Sequence, residues 1–470
     1  MSERLSAADM SFLYVEDDHT PMHIGDVLIF TPPRGGFAYD KLTDLIADRL
    51  EMVPRYRQKI AYVPGNISGP RWVDDENFDV HFHVRRSALP KPGGQAQLAE
   101  LVSRLMSRRL DRDRPLWEIY LVEGLSRGRV AIITKTHSAL VNGIDGMEIG
   151  EVLLDATREP APVAAGDWVP RRTPTPVGLL LEVLRESVST PRTVLDSARA
   201  AIANAKHTGE RIWSVGRGAL AATQWIISPA KSSPINVNVR GARRFAMSKQ
   251  SLADFKAIKD RHGCAVNDVV LAVIAGALRS WMLARGSIIS REQTLRALVP
   301  LSVKPIDADA AFGETGQLTT LFVDLPLGEE NPVLRLSRIA FSTRAHRESG
   351  LAVAADALVP MTRFAPPTLH SLGARVGQGL TRRGFNLVVT NAPGPQSPMY
   401  AAGARLREVY PVIPLATTQA LAIGVTSYDG NVYFGINADR DATGDLDLFA
   451  SMIDEAIAEL RVPDRAEEEK

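Results

Sequence analysis

"RVAIITKTHSALVNGIDG", Arg129–Gly146, reads as a β-strand running into a turn. Val130 to Thr134 is a run of β-branched and apolar residues, the composition of a buried strand. Asn142-Gly143 and Asp145-Gly146 then supply two dipeptides that favour turns. Just upstream, "LWEIYLVEGL" (Leu116–Leu125) has the same strand character, and Ser126–Gly128 separates the two. The spacing predicts two paired strands, with His137 and Ser138 at a strand end and "VNG" opening the loop or helix that follows. Successive side chains on a strand point to opposite faces, so His137 and Ser138 do not form a catalytic dyad by adjacency alone. The stretch also lacks the flanking glycines of a serine nucleophile elbow.

Outward from this pair, strand and helix signals alternate. "HIGDVLIF" (His23–Phe30) is extended, whereas Leu42, Leu45, Ile46 and Leu50 recur at helical spacing. "QLAELVSRLMSRRLD" repeats the helical pattern. Residues 157–176 are proline-rich and aperiodic, which marks a linker. Val177, Leu180, Leu181, Leu184 and Val188 predict an amphipathic helix, with two weaker helices following to about Ile227 that carry Trp213 and Trp225. These helices either pack on the body or touch lipid. In the second half, Asn267–Met282 carries one broad apolar stripe, with Asn267 or Asp268 placed to cap the helix. "ALAIGVTSYDGNVYFGINA" predicts a hairpin turning at Asp429-Gly430, and "FNLVVTNAPGP" a further strand. The expected units are residues 1–156, a linker with amphipathic helices at 157–232, and a second domain at 233–465.

Bulk properties narrow the function. The 470 residues carry 55 basic and 54 acidic side chains, a net charge of +1, which gives no basic field for nucleic acid. Cys264 is the lone cysteine, so no internal disulfide forms and an intracellular chain is expected. The polar, acidic N-terminus does not resemble a signal peptide, and no run of 18 apolar residues occurs. The expectation is a cytoplasmic protein whose contact with membrane or lipid droplet is peripheral. No phosphate-loop motif is present. His81 and His83 in "DVHFHV" would share a strand face, but no third ligand stands in register, so no metal site is expected.

Several stretches together carry a resemblance over nearly the whole chain: "MSFLYVEDDHTPMHIG", "DVHFHVRRSALPKPG", "LDRDRPLWEIYLVEGL", "VNDVVLAVIAGALR", "NLVVTNAPGP" and "PVIPLATTQALAIGVTSYDGNVYFGINADRD". With them the sequence resembles the bacterial wax ester synthase/acyl-CoA:diacylglycerol acyltransferase family, especially its mycobacterial branch. The resemblance implies a chloramphenicol acetyltransferase-like α/β fold, with two domains, each holding a mixed sheet and helices, and a channel between them. It also implies acyl transfer from acyl-CoA, as co-substrate and with no resident cofactor or metal, to a hydroxyl lipid: diacylglycerol, a long-chain alcohol or another acceptor.

The family's signature is His-His, three residues, then Asp-Gly, and its second histidine is the general base. Here the four positions hold His137, Ser138, Asn142 and Gly143. A serine hydroxyl is a poor base at neutral pH, so three readings follow. The enzyme is slow, or His137 substitutes as base, or the chain binds acyl-CoA or neutral lipid without turnover. The resemblance also places Asn267 and Asp268 near the channel, beside their alternative role as a cap. Arg243, Arg244, Arg382 and Arg383 either meet the phosphates of CoA or form a solvated basic face. Pro115-Leu116-Trp117 is expected to pack rather than react. "FGETG" (Phe312–Gly316) departs from the family's usual Gly-Asn.

Overall fold

The two strands around the quoted stretch form and pair antiparallel, Trp117 opposite Thr136 and Val122 opposite Ala131. The computed structural model describes residues 2–141, 149–159, 168–189, 230–302, 318–348, 353–354 and 384–461. The first half runs β1 (Glu3–Arg4), α1 (Ala7–Val15), β2 (His23–Thr31), α2 (Tyr39–Arg49), β3 (Gln58–Ala61), β4 (Arg71–Asp74), α3 (Val80–His83), β5 (Val84–Ala88), α4 (Gln95–Met106), β6 (Trp117–Glu123), β7 (Val130–His137), α5 (Ser138–Val141), α6 (Ile149–Val152) and α7 (Pro176–Ser189). The second half runs β8 (Arg243–Ser251), α8 (Leu252–His262), α9 (Val266–Ala284), β9 (Leu295–Ser302), β10 (Leu318–Leu325), α10 (Pro332–Glu348), β11 (Val353–Ala354), β12 (Leu387–Pro393), β13 (Tyr400–Ala401), β14 (Ala404–Val412), β15 (Leu421–Tyr428), β16 (Asn431–Asp439) and α11 (Leu446–Arg461).

Among the described residues two large mixed sheets carry the fold. The first has the order β13-β14-β2-β7-β6-β5, with β5 parallel to β6 and the rest antiparallel. The second has the order β11-β10-β9-β12-β15-β16-β8, with β12 parallel to both of its neighbours. Each sheet has its own apolar core. Val27, Phe30, Trp117, Ile119 and Ile132 anchor the first, and Val270, Ile274, Val299, Val389 and Phe434 the second. The expected two-domain α/β fold with mixed sheets is the one observed.

The second half of the chain is not confined to the second sheet. β14 crosses back into the first sheet and pairs with β2, Leu406 opposite Phe30 and Val412 opposite Gly25. Two glycines of the second sheet let this strand come close. Gly424 and Gly435 face each other across β15 and β16. A Cβ on Gly435 would lie 1.8 Å from the carbonyl oxygen of Pro411, and one on Gly424 would lie 2.8 Å from the Pro411 side chain. Any side chain there would force the two halves apart.

The hairpin turns at Asp429 and Gly430, with φ of 44° and 76°, the two positive angles a two-residue turn requires. α9 is long and apolar enough to cross a membrane by length and composition, with a mean hydropathy of 1.5. Here it is the central helix of the second core, with Val269 to Leu278 buried. α7 occupies the place of the expected amphipathic helix, Leu179 and Val183 inward and Val177 and Leu181 exposed. The helices expected beyond it, with Trp213 and Trp225, lie outside the described residues.

Candidate active site

The site is built from the N-terminus upward. Ser6 and Asp9 form a reciprocal capping box at the start of α1, Asp9 N–H donating to Ser6 Oγ at 3.1 Å and Ser6 N–H to Asp9 Oδ2 at 3.2 Å. The helix ends at Val15, so Glu16 is its first residue beyond, and its carboxylate turns inward. Five groups face it. Arg112 Nε and Arg109 Nη2 donate at 3.1 and 3.2 Å, and Met22 N–H at 3.2 Å. His23 Nε2 stands at 3.5 Å and His137 Nε2 at 3.6 Å. Burial raises the carboxyl pKa, but His137, then Arg112, outweigh it and hold Glu16 well below the usual carboxylate range. The neighbouring His23 is driven the other way. Burial, then the Lys135 ammonium, push its pKa well below that of an ordinary histidine.

β7 delivers His137 to this cluster as its last strand residue, and Ser138 opens α5. The His137 and His23 rings meet edge to face, centroids 6.1 Å apart. Ala139 N–H donates to His137 Nδ1 at 3.0 Å. That bond uses the Nδ1 lone pair and assigns the proton of the neutral ring to Nε2, the nitrogen facing Glu16. Nε2 makes no hydrogen bond among the described residues. Ser138 is buried too. Its N–H and Oγ both donate to the carbonyl of Met22, at 2.8 and 3.0 Å. The strand-to-helix junction is thus pinned to the segment that also bears His23. Asn142 and Gly143 lie outside the described residues.

Two residues before His137 on the same face, Lys135 is buried. Its Nζ donates to the carbonyl of Arg108 at 2.6 Å and pairs with Glu118 Oε2 at 3.5 Å. Burial lowers its pKa against the raising effect of Glu118.

The other expected residues fall elsewhere, and several serve the scaffold. Asp268 occupies the third position of α9, where its Oδ2 accepts from the N–H of Ala265 at 2.9 Å while Oδ1 accepts from Thr343 Oγ1 at 2.7 Å. This is the capping role. Asn267 does not cap. Its Oδ1 takes a hydrogen bond from Asn391 Nδ2 of β12 at 3.0 Å, and its own buried Nδ2 meets no acceptor among the described residues.

Arg243 is buried, its guanidinium turned onto the carbonyls of Arg240, Ala242 and His19. Burial lowers its pKa to about 10. Those three carbonyls tie the side chain into the scaffold. Arg244 pairs with Asp447 at 2.7 Å. Arg382, Arg383 and Phe312–Gly316 lie outside the described residues. Leu116 and Trp117 pack as expected, with Trp117 Nε1 donating to the carbonyl of Tyr56 at 2.7 Å.

The shared strand face expected for His81 and His83 is corrected. Residues 80–83 form a helical turn, so a two-residue spacing separates the rings. His83 is buried and stacks on Trp117 at 4.5 Å, whereas His81 is exposed beside Tyr39. Cys264 is half-buried, its thiol pushed up first by burial and then by Asp268, so it is no activated nucleophile.

Sequence reasoning missed Glu16, His23 and Lys135. One local signal was available. Lys135 and His137 sit at alternate positions at the end of a strand that is buried throughout, which is where a buried polar cluster is to be sought.

Residues 5–270 match the wax ester synthase/diacylglycerol acyltransferase catalytic domain, and residues 316–461 match the C-terminal domain of the same family. A Mycobacterium tuberculosis protein named as a probable diacylglycerol O-acyltransferase, tgs3, is 42% identical over 265 residues, which is 56% of this chain and 98% of that protein. Another from the same organism, tgs2, is 33% identical over 465 residues, 96% of this chain and 97% of its own. The solved structure of the wax ester synthase/diacylglycerol acyltransferase from Marinobacter aquaeolei VT8 matches with a TM-score of 0.68 at 26% identity, covering 97% of this chain and 98% of that one. The first condensation domain of the CDA synthetase shares the fold, with a TM-score of 0.58 at 13% identity, covering 98% of this chain and 97% of that one.

Proposed function

The chain belongs to the wax ester synthase/diacylglycerol acyltransferase family, and from that premise we propose that it moves a long-chain acyl group from acyl-CoA to the hydroxyl of diacylglycerol or of a long-chain alcohol, slowly, without an imidazole base. The acceptor oxygen attacks the thioester carbonyl, the carbon–sulfur bond breaks, and the hydroxyl proton ends on the CoA thiol. The observation that carries this reading is the intact junction around the altered motif. His137 is still held by Glu16, and Ser138 still closes the strand end onto Met22.

Magnitudes support a slow enzyme over a dead one. A positioned general base is worth roughly 10²–10⁴ in rate, or about 3–5 kcal/mol of barrier. Holding thioester and alcohol together contributes ~7–11 kcal/mol by itself. His137 is a poor replacement for the missing base, because its ring is buried, Ala139 N–H holds Nδ1, and Nε2 faces the Glu16 carboxylate at 3.6 Å. Contact with membrane or lipid droplet is peripheral in this reading, supported by the exposed Val177 and Leu181 of α7.

One observation favours a second reading, a binder of acyl-CoA or neutral lipid without turnover: the Ser138 hydroxyl gives its proton to a backbone carbonyl. Thiol release from a long-chain acyl-CoA, measured with and without diacylglycerol or a long-chain alcohol, separates the two. Acceptor-dependent release supports the transferase. Saturable binding with no release at high protein concentration supports the binder and sinks the transferase.

A further inference from the structure

The two halves leave a cleft between α4 of the first and the β8 edge of the second, with a volume of about 720 Å³. Its floor is made of small residues, Ala96, Ala99, Ser103 and Ser107, which recur on one face of α4. Its walls carry five arginines against two carboxylates, Glu100 and Asp447. The arginines differ in what they already hold. Arg243 is spent on three carbonyls and Arg244 on Asp447. Arg104 and Arg108 from the α4 side and Arg440 from the opposite side are exposed, and none makes an ion pair among the described residues. Like charges gathered in a concave wall repel one another unless an anion joins them, and a cleft lined by one sign of charge focuses the field on a ligand.

The geometry points to this cleft as the seat of the nucleotide end of acyl-CoA, with Arg104, Arg108 and Arg440 meeting its diphosphate and its 3′-phosphate. The inference rests on the reading that acyl-CoA is the donor. Guanidinium forks match phosphate oxygens two at a time. The volume is in the range of sites for ligands of this size, roughly 300–1,000 Å³, and a floor of alanines and serines leaves room for a flat purine. The cleft is also tied to the motif. The carbonyl of Arg108 holds Lys135, two residues before His137, and the Arg243 guanidinium holds the carbonyl of His19, three residues before the Met22 that pins Ser138.

The experiment measures binding, so that it does not depend on turnover. Titration calorimetry follows CoA, dephospho-CoA and adenosine 3′,5′-bisphosphate on wild type, on Arg104→Ala/Arg440→Ala and on Asp447→Asn. We expect the double variant to bind CoA at least tenfold more weakly and to lose the preference for CoA over dephospho-CoA. Asp447→Asn removes a carboxylate and frees Arg244, and CoA should bind more tightly, a gain that misfolding cannot mimic.

If wild type binds CoA and all three proteins bind it equally, the cleft is not the site and the inference falls, while the donor reading stands. If wild type does not bind CoA at all, both fall. If the double variant keeps CoA but loses binding to phosphatidylglycerol vesicles, the arginines serve a lipid surface and the inference is overturned.

Discussion

Two charged regions lie side by side at the seam of this molecule, and they are built on opposite terms. Around His137 every charge is answered. Glu16 faces two arginines, two histidines and a backbone N–H, and its side chain is 2% exposed. In the α4–β8 cleft, Arg104, Arg108 and Arg440 stand exposed with no ion pair among the described residues. Arg108 and Arg109 are neighbours in the chain, yet one lines the cleft and the other binds Glu16. A buried charge with all its partners holds the scaffold, whereas a charge left open in a concavity is available to a ligand. The altered motif belongs to the first kind, since both its described members are bonded into the body.

The sharpest way to break this contrast is Glu16→Ala. It strands the half-buried Arg112 guanidinium without a countercharge and the buried Met22 N–H without its acceptor, and should cost about 3 kcal/mol of folding stability, read from the midpoint of urea denaturation. A neutral result would mean that the cluster holds nothing.

The same cluster makes stability depend on pH. His23 has a folded pKa below its ordinary 6.5, so the unfolded chain binds its proton first. The contribution is complete above pH 6.5 and is lost as pH falls below it, by up to about 1.4 kcal/mol per pH unit for one proton. Glu16, also depressed, adds a second loss as pH falls below 4.5. Thermal melts from pH 8 to pH 4 should show Tm declining toward acid, and His23→Gln should flatten the first part of that decline. A Tm that rises toward acid would contradict both assignments.

Ser138→His should raise acceptor-dependent thiol release at least tenfold, about 1.4 kcal/mol of barrier. His137→Ala should leave kcat of the folded fraction nearly unchanged while lowering Tm. Loss of all turnover in His137→Ala with the fold intact would make His137 the base after all. The smallest effect is expected from Arg244→Ala. Its pair with Asp447 is solvent-exposed, so stability should move by less than about 1 kcal/mol.

What the sequence disclosed follows from the range of each signal. The Asp429-Gly430 turn and the apolar stripe of α9 are local, and the structure has both where the pattern put them. "YVEDD" offers three carboxylates in a row, and only Arg112 and His137, about a hundred residues on, decide that Glu16 is the one turned inward. β14 reads as a strand from its own residues, but nothing in them chooses β2 as its partner. Arg243 and Arg244 look alike as a basic pair, yet Arg243 shares the inward alternation of Phe245 and Met247 and was the one to doubt as a ligand contact.

The crossover of β14 also bears on how the chain is made. β2 is an interior strand of the first sheet only once residues 404–412 have arrived. On a ribosome, where synthesis proceeds from the N-terminus, β2 through β7 emerge first and present a hydrogen-bonding edge for the time taken to add some 270 more residues. An apolar strand such as "HIGDVLIF" left open at an edge is a template for pairing with another chain. The last fifth of this protein therefore acts as a closing piece for its first tenth, and a nascent or truncated chain ending before Ala404 exposes the same edge to its neighbours.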